Sequence, residues 1–420
     1  MNNNKIVLPN GLRLIYERLP HLRSVTVGVW MGAGSRCETH FNNGISHFIE
    51  HMLFKGTAVR SAKDIAELVD SIGGHLDAFT SKECTCLFAK TLDSHIDVSM
   101  ELLSDMFFNS TFHEDCMITE KNVILEEIGS YEDAPEELVH DLICEAAWGD
   151  SPLGYPILGS KKSLQKFNRE VLVDYLATNY MPKDTVISVV GNFEEARLLD
   201  LVNKYFGTWN SAFVSPHSAP PSSFIPSIKI KRKKTEQEHI CMGFNGLEYG
   251  HDDFYTLLAF NSILGGGISS RLFQKVREDK GLAYSIYSYL LPYRSEGLYA
   301  IYAGTNISNF DSVMDIIAGE ITSLISAGVT EVELSRSKEQ LKGNFILGME
   351  STTNRMNSYA KSELLLGIRS TPEEVLGKID SITMDGMNRV IKGTLGAGRV
   401  SFAGIGSMKP EVVANRWLKA

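Results

Sequence analysis

Along this chain, stretches with apolar residues every three or four positions alternate with stretches in which apolar and polar residues take turns. These are the periods of helices and of strands packed on one side. Ser61 to Asp64 opens a helix with Ile65, Leu68, Val69 and Ile72 on one face, closed by Gly73-Gly74 and followed by a strand from Leu76 to Leu87. Further on, Ser270 to Phe273 opens a helix closing near Gly281, ahead of a strand from Ala283 to Leu290, and a long helical stretch runs from Thr330 to Leu366. The strands pair in an antiparallel manner where Leu76–Lys90 folds back on its successor. The pattern predicts an α+β sandwich and departs from the regular βαβ alternation of a doubly wound sheet.

The pattern also repeats. A helix capped by Asn168 precedes the strand Val186 to Val190, and a helix capped by Thr383 precedes the strand from Val400 to Gly404. The two caps, and the two strands, fall about half a chain apart, which points to internal duplication. Between the halves, Ser215 to Pro226 is rich in Pro and Ser and reads as a linker. A length of 420 residues agrees with two domains, since one hydrophobic core rarely grows that large.

Charge and composition narrow the function classes. With 41 Lys and Arg against 51 Asp and Glu the net charge is -10, which argues against nucleic acid as a partner. No apolar run approaches the roughly 20 residues of a membrane span, so no membrane partner is expected. The first residues carry neither an apolar signal core nor a transit-like segment, so the expected location is cytoplasmic. The six cysteines (37, 84, 86, 116, 144 and 241) show no Cys-x-x-Cys spacing, and all are expected as thiols.

The chemistry concentrates in Gly44-Ile-Ser-His47-Phe-Ile-Glu50-His51-Met-Leu-Phe54, whose apolar spacing is helical and which ends at Lys55-Gly56. His47 and His51 are one turn apart on one face, the spacing at which two imidazoles bind one zinc ion, and Glu50 lies beside them. A carboxylate so placed can take a proton from a metal-activated water as it attacks a carbonyl. The arrangement is His-x-x-Glu-His, the inverse of the zincin helix. A catalytic zinc needs a third protein ligand. The helix Thr119 to Gly129 offers Glu120 and Glu127 on a shared face, and the residue types alone leave Glu126 and Glu127 as alternatives.

On these motifs the chain resembles, over nearly its whole length, the inverzincin peptidases of the pitrilysin and insulin-degrading-enzyme group. It is most similar to the short branch of mitochondrial processing peptidase and its bacterial relatives. The family places its third ligand 76 positions after the second histidine, which selects Glu127. Glu120 matches a second carboxylate that supports metal site and catalysis. Asp77, Ala78, Phe79 and Thr80 match the edge strand that substrate peptide joins, although many relatives have Asn at the position of Asp77. Arg277 and Tyr284 match a pair that holds the substrate backbone and steadies the reacting carbonyl.

The resemblance implies two related α+β domains: a zinc-binding peptidase domain over 1–210, a linker over 211–228, and a homologous domain without metal over 229–420. It further implies one Zn2+ per chain, since Phe254 to Phe260, where the duplication would repeat the metal helix, has no His. Two chains would close as a homodimer into a hollow clamshell. The implied activity is zinc-dependent endopeptidase action on peptides or unfolded polypeptide; the alternative is a non-catalytic core subunit of the same fold.

Overall fold

The computed structural model describes residues 4–210 and 222–409. Residues 211–221, which hold much of the expected linker, lie outside the described residues. The chain forms two compact units, and against the expected single division between 1–210 and 229–420 each is discontinuous. The first gathers the described residues of Met1–Ile128, Pro156–Pro220 and Leu347–Ser370; the second gathers those of Gly129–Tyr155, Pro221–Ile346 and Thr371–Ala420.

In the first unit six strands, β1 (Lys5–Val7), β2 (Arg13–Arg18), β3 (Ser24–Met31), β4 (His75–Thr80), β5 (Thr85–Leu92) and β6 (Thr185–Gly191), form one sheet in the order β1-β2-β6-β3-β5-β4. In the second, β7 (Ile228–Arg232), β8 (Glu238–Asn245), β9 (Ala283–Pro292), β10 (Gly297–Thr305) and β11 (Val400–Gly406) pair in the order β7-β11-β8-β10-β9. The duplication is visible in these orders. β2-β6-β3-β5-β4 repeats as β7-β11-β8-β10-β9, and the one parallel pair falls in the same place in both, β2 with β6 and β7 with β11.

Each sheet buries one face under several helices. In the first unit Val25, Val27, Val29, Leu87 and Val189 pack with α1 (Ile45–Leu53), α2 (Ala62–Ser71), α3 (Ile96–Asn109) and α4 (Glu114–Asp133) around Phe48, Met100 and Ile124. The helix starts follow the expected caps: Ser61 and Asp64 form a reciprocal capping box at α2, Asn168 accepts from Val171 N–H, and Thr383 accepts from Gly386 N–H.

The other face of each sheet takes one long helix from the opposite half of the sequence. Thr352–Leu366 lies on β3 and β6, where Thr352 meets Thr26 at 2.9 Å and Trp30 Nε1 donates to Met356 Sδ at 3.1 Å. In the second unit, α5 (Pro135–Trp148) lies on β8 and β11, where Ser401 Oγ donates to Ala146 O at 3.3 Å. The helical stretch Thr330 to Leu366 consists of two helices, Glu331–Gly348 and Thr352–Leu366. Ser351 restarts the second by capping Asn354 N–H, and the break lets the chain leave one unit for the other.

Among the described residues no single helix is long and apolar enough to cross a membrane. No disulfide joins any of the six cysteines.

Candidate metal centre

The metal helix α1 begins at a glycine that cannot cap it. Gly44 sits at φ +92°, and a side chain there would meet the backbone of Leu158 and Gly159 at 2.8 Å. The helix then runs through His47, Glu50 and His51 to a tight exit at Gly56, φ +115°. α4 crosses nearby with Glu120 buried and Glu127 half-buried on one face, while Glu126 points to solvent.

His47, His51 and Glu127 offer one ligand atom each within 4.8 Å of one another, and they are the one such trio of metal-ligand side chains among the described residues. Glu127 Oε2 is 3.8 Å from His47 Nε2 and 3.7 Å from His51 Nε2. Three donors around a tetrahedral zinc at about 2.0–2.2 Å stand roughly 3.4 Å apart, so only small side-chain movement is needed. The donor chemistry fits as well. Burial and the neighbouring His51 pull His47 down to about 3, which keeps its imidazole neutral with a lone pair to give. His51 Nδ1 lies 2.8 Å from Glu120 Oε1, which leaves Nε2 facing Glu127, the carboxylate–histidine relation found behind metal ligands.

Glu50 lies outside this trio. Its carboxyl is raised, first by burial, against the opposing effects of a hydrogen bond from Thr80 and the proximity of His51. The Thr80 hydroxyl donates to Glu50 Oε2 at 2.5 Å.

Thr80 ends β4, which occupies the edge of its sheet and, among the described residues, pairs only with β5 there. Along β4 Asp77 is exposed, its Oδ1 accepting from the N–H of Ala78, and Phe79 packs edge-on against Trp30 with centroids 5.2 Å apart.

Arg277 and Tyr284 belong to the second unit. The segment Phe273–Glu278 is a π-helical turn, Asp279 N–H reaching back to Gln274 O at 2.8 Å, where an ordinary helix was expected. It puts the Arg277 guanidinium 4.9 Å over the Phe273 ring and 4.8 Å over that of Tyr284, which is 73% exposed at the start of edge strand β9. Such wide turns recur at functional sites.

Three contacts go beyond the expectations drawn from the sequence. The Thr80 hydroxyl, and not only its backbone, meets the site. Lys55 holds Glu120 Oε2 at 2.7 Å; its place four residues after His51 is the signal the sequence offers. Phe273, four before Arg277, carried the same kind of signal.

The comparisons agree with this geometry. Residues 13–161 match the model for Insulinase (Peptidase family M16), and residues 166–341 match that for the Peptidase M16 inactive domain. The chain is 46% identical over 379 residues to a protein named uncharacterized zinc protease YmxG from Bacillus subtilis, covering 90% of this chain and 92% of that one. It is 36% identical over 413 residues to an uncharacterized zinc protease of Streptomyces coelicolor, covering 96% and 90%. In fold it is similar to a protease from Helicobacter pylori, with a TM-score of 0.88 at 22% identity over 96% of this chain and 98% of that one. It is also similar to a chain of the structure described as Complex III2 from Candida albicans, Inz-5 bound, with a TM-score of 0.85 at 22% identity over 99% and 98%. With its metal-ligand trio in the half that matches the peptidase model and its second half matching the inactive domain, the chain belongs to peptidase family M16.

Proposed function

We propose that this chain is a zinc-dependent endopeptidase that hydrolyses extended peptides or unfolded protein segments. His47, His51 and Glu127 serve as ligands and Glu50 as general base. The observation that supports this reading is the His-His-Glu trio with a separate half-buried carboxylate, Glu50, beside it. A bound zinc ion supplies a water whose pKa falls to about 7 and polarises a carbonyl.

The chain's own residues do the rest. Glu50 takes the water's proton and returns it to the leaving amine. Glu120 orients His51. The edge of β4 offers main-chain groups to an extended peptide, which accounts for tolerance of side-chain sequence, and Arg277 with Tyr284 holds the substrate backbone near the reacting carbonyl.

The working form under this proposal is a cytoplasmic homodimer with one zinc per chain that encloses its substrate in a chamber. What supports the dimer is that the trio and the Arg277–Tyr284 pair lie in different compact units of one chain. The alternative of a non-catalytic core subunit is disfavoured by the intact trio. A peptide-library digest read by mass spectrometry, with and without chelator, tests the activity. Chelator-sensitive internal cleavage is expected, lost in Glu50→Gln although that variant keeps its zinc; cleavage that survives both metal removal and Glu50→Gln overturns the proposal.

A further inference from the structure

The metal helix starts on a residue that has no side chain, yet its first turn carries His47. Helix N-termini leave several N–H groups without intrahelical partners, and an N-cap Ser, Thr, Asp or Asn commonly accepts from one of them. Gly44 can do neither, and the close approach of Leu158 and Gly159 forbids a larger residue. A carboxylate six residues upstream fills the place. Glu38 Oε2 accepts from Gly44 N–H at 2.7 Å and from Asn43 Nδ2 at 3.0 Å, and Oε1 accepts from Ser46 N–H at 2.9 Å.

Glu38 is only 2% exposed. Its hydrogen-bond partners are neutral, and burial raises its carboxyl against the bonds from Ser46, Gly44 and Asn43. Burying an acid this deeply is costly unless its oxygens are satisfied, and here both are. The charge also faces the positive end of the helix dipole. Asn43 in turn donates to Pro156 O at 2.9 Å, and the Ser46 hydroxyl meets Tyr175 at 2.9 Å, so the whole first turn is pinned from outside the helix. His47 follows Ser46 directly, and a working metal site keeps its metal–ligand distances within about 0.2 Å of their standard values.

We propose that Glu38 is a positioning residue for the metal centre: its carboxylate fixes the first turn of α1 and thereby the place of His47 relative to His51 and Glu127. This rests on the metal reading given under the proposed function. Glu38 touches neither substrate nor metal; it acts through the backbone of Gly44 and Ser46.

The test compares Glu38→Gln and Glu38→Ala with Ser61→Ala, which breaks the capping box of α2 in the same unit. Zinc affinity is measured on the full chain by competition with a chromophoric chelator, apo stability by thermal unfolding, and kcat and KM on a peptide at saturating zinc. Glu38→Gln and Glu38→Ala are expected to bind zinc roughly 10- to 100-fold more weakly and to lose kcat with little change in KM. Ser61→Ala should lower the apo melting temperature without changing zinc affinity.

Zinc affinity of Glu38→Gln within about twofold of wild type, far below the 10- to 100-fold losses known for supporting residues, overturns the proposal. So does a Glu38→Gln chain that cannot fold, because the carboxylate would then serve the unit as a whole. A wild-type chain that binds no zinc at all refutes the metal reading, an outcome read from the control before any variant is compared.

Discussion

Thr80 and Glu50 stand 30 residues apart in sequence, yet the threonine hydroxyl donates to the glutamate Oε2 at 2.5 Å. The bond ties the end of edge strand β4 to the helix that carries both histidines. A general base works only within hydrogen-bond reach of the proton it removes, and Thr80 limits where the Glu50 carboxylate can swing.

Thr80→Val keeps the branched shape suited to a strand and removes the donor. It is expected to lower kcat by roughly tenfold with a smaller change in KM, while zinc content stays at the wild-type level. Steady-state kinetics with elemental analysis of the same preparation checks this; unchanged kcat would mean that Glu50 is held by packing alone.

The choice between neighbouring glutamates on α4 is open to direct measurement. Glu127 faces the histidines and Glu126 faces solvent. Glu127→Gln is expected to lose zinc on dialysis and Glu126→Gln to keep it, each read by elemental analysis; the reverse result would reassign the ligand.

Much of this site was legible because its parts are local. His47, Glu50 and His51 lie within one turn and a half of helix, so period alone puts them together. The caps at Asn168 and Thr383 were legible for the same reason. What was not legible depends on partners distant in sequence. An amphipathic pattern says that Thr352–Leu366 and Pro135–Trp148 must each bury a face, but not on which sheet; contacts such as Thr352 with Thr26 decide that. Glu38 belongs to the same group, since a cap that reaches from outside the usual N-cap position leaves no local signature.

The homodimer proposed above predicts complementation. Glu50→Gln and Tyr284→Phe, each inactive alone, should regain activity when mixed and exchanged, because a heterodimer could carry one composite site with both native parts. Subunit exchange is first shown by tagged co-purification. An exchanged heterodimer that stays inactive, or full activity of a monomer in sedimentation at assay concentration, would leave each chain to work by itself.

A last prediction concerns acid stability of the second unit. His140 on α5 reaches Tyr289 from Nδ1 at 2.6 Å and Tyr287 from Nε2 at 3.0 Å, with His239, Tyr302, Cys241 and Glu136 around the same cluster. Burial, and secondarily His239, lowers His140 to about 4 from an ordinary 6.5. Above 6.5 the residue is neutral in both folded and unfolded chains and costs nothing. As the pH falls from 6.5 towards 4 the unfolded chain takes up a proton that the folded one refuses, so stability is lost across that window and levels off below it. The loss from this residue is at most about 3 kcal/mol. His239, also lowered by burial, adds to it in the same direction. Hydrogen exchange across β8 to β10 between pH 7 and 4, corrected for intrinsic exchange, should report falling protection in wild type and a shallower fall in His140→Gln. Equal slopes in the two proteins would show that His140 takes up its proton without opening the cluster.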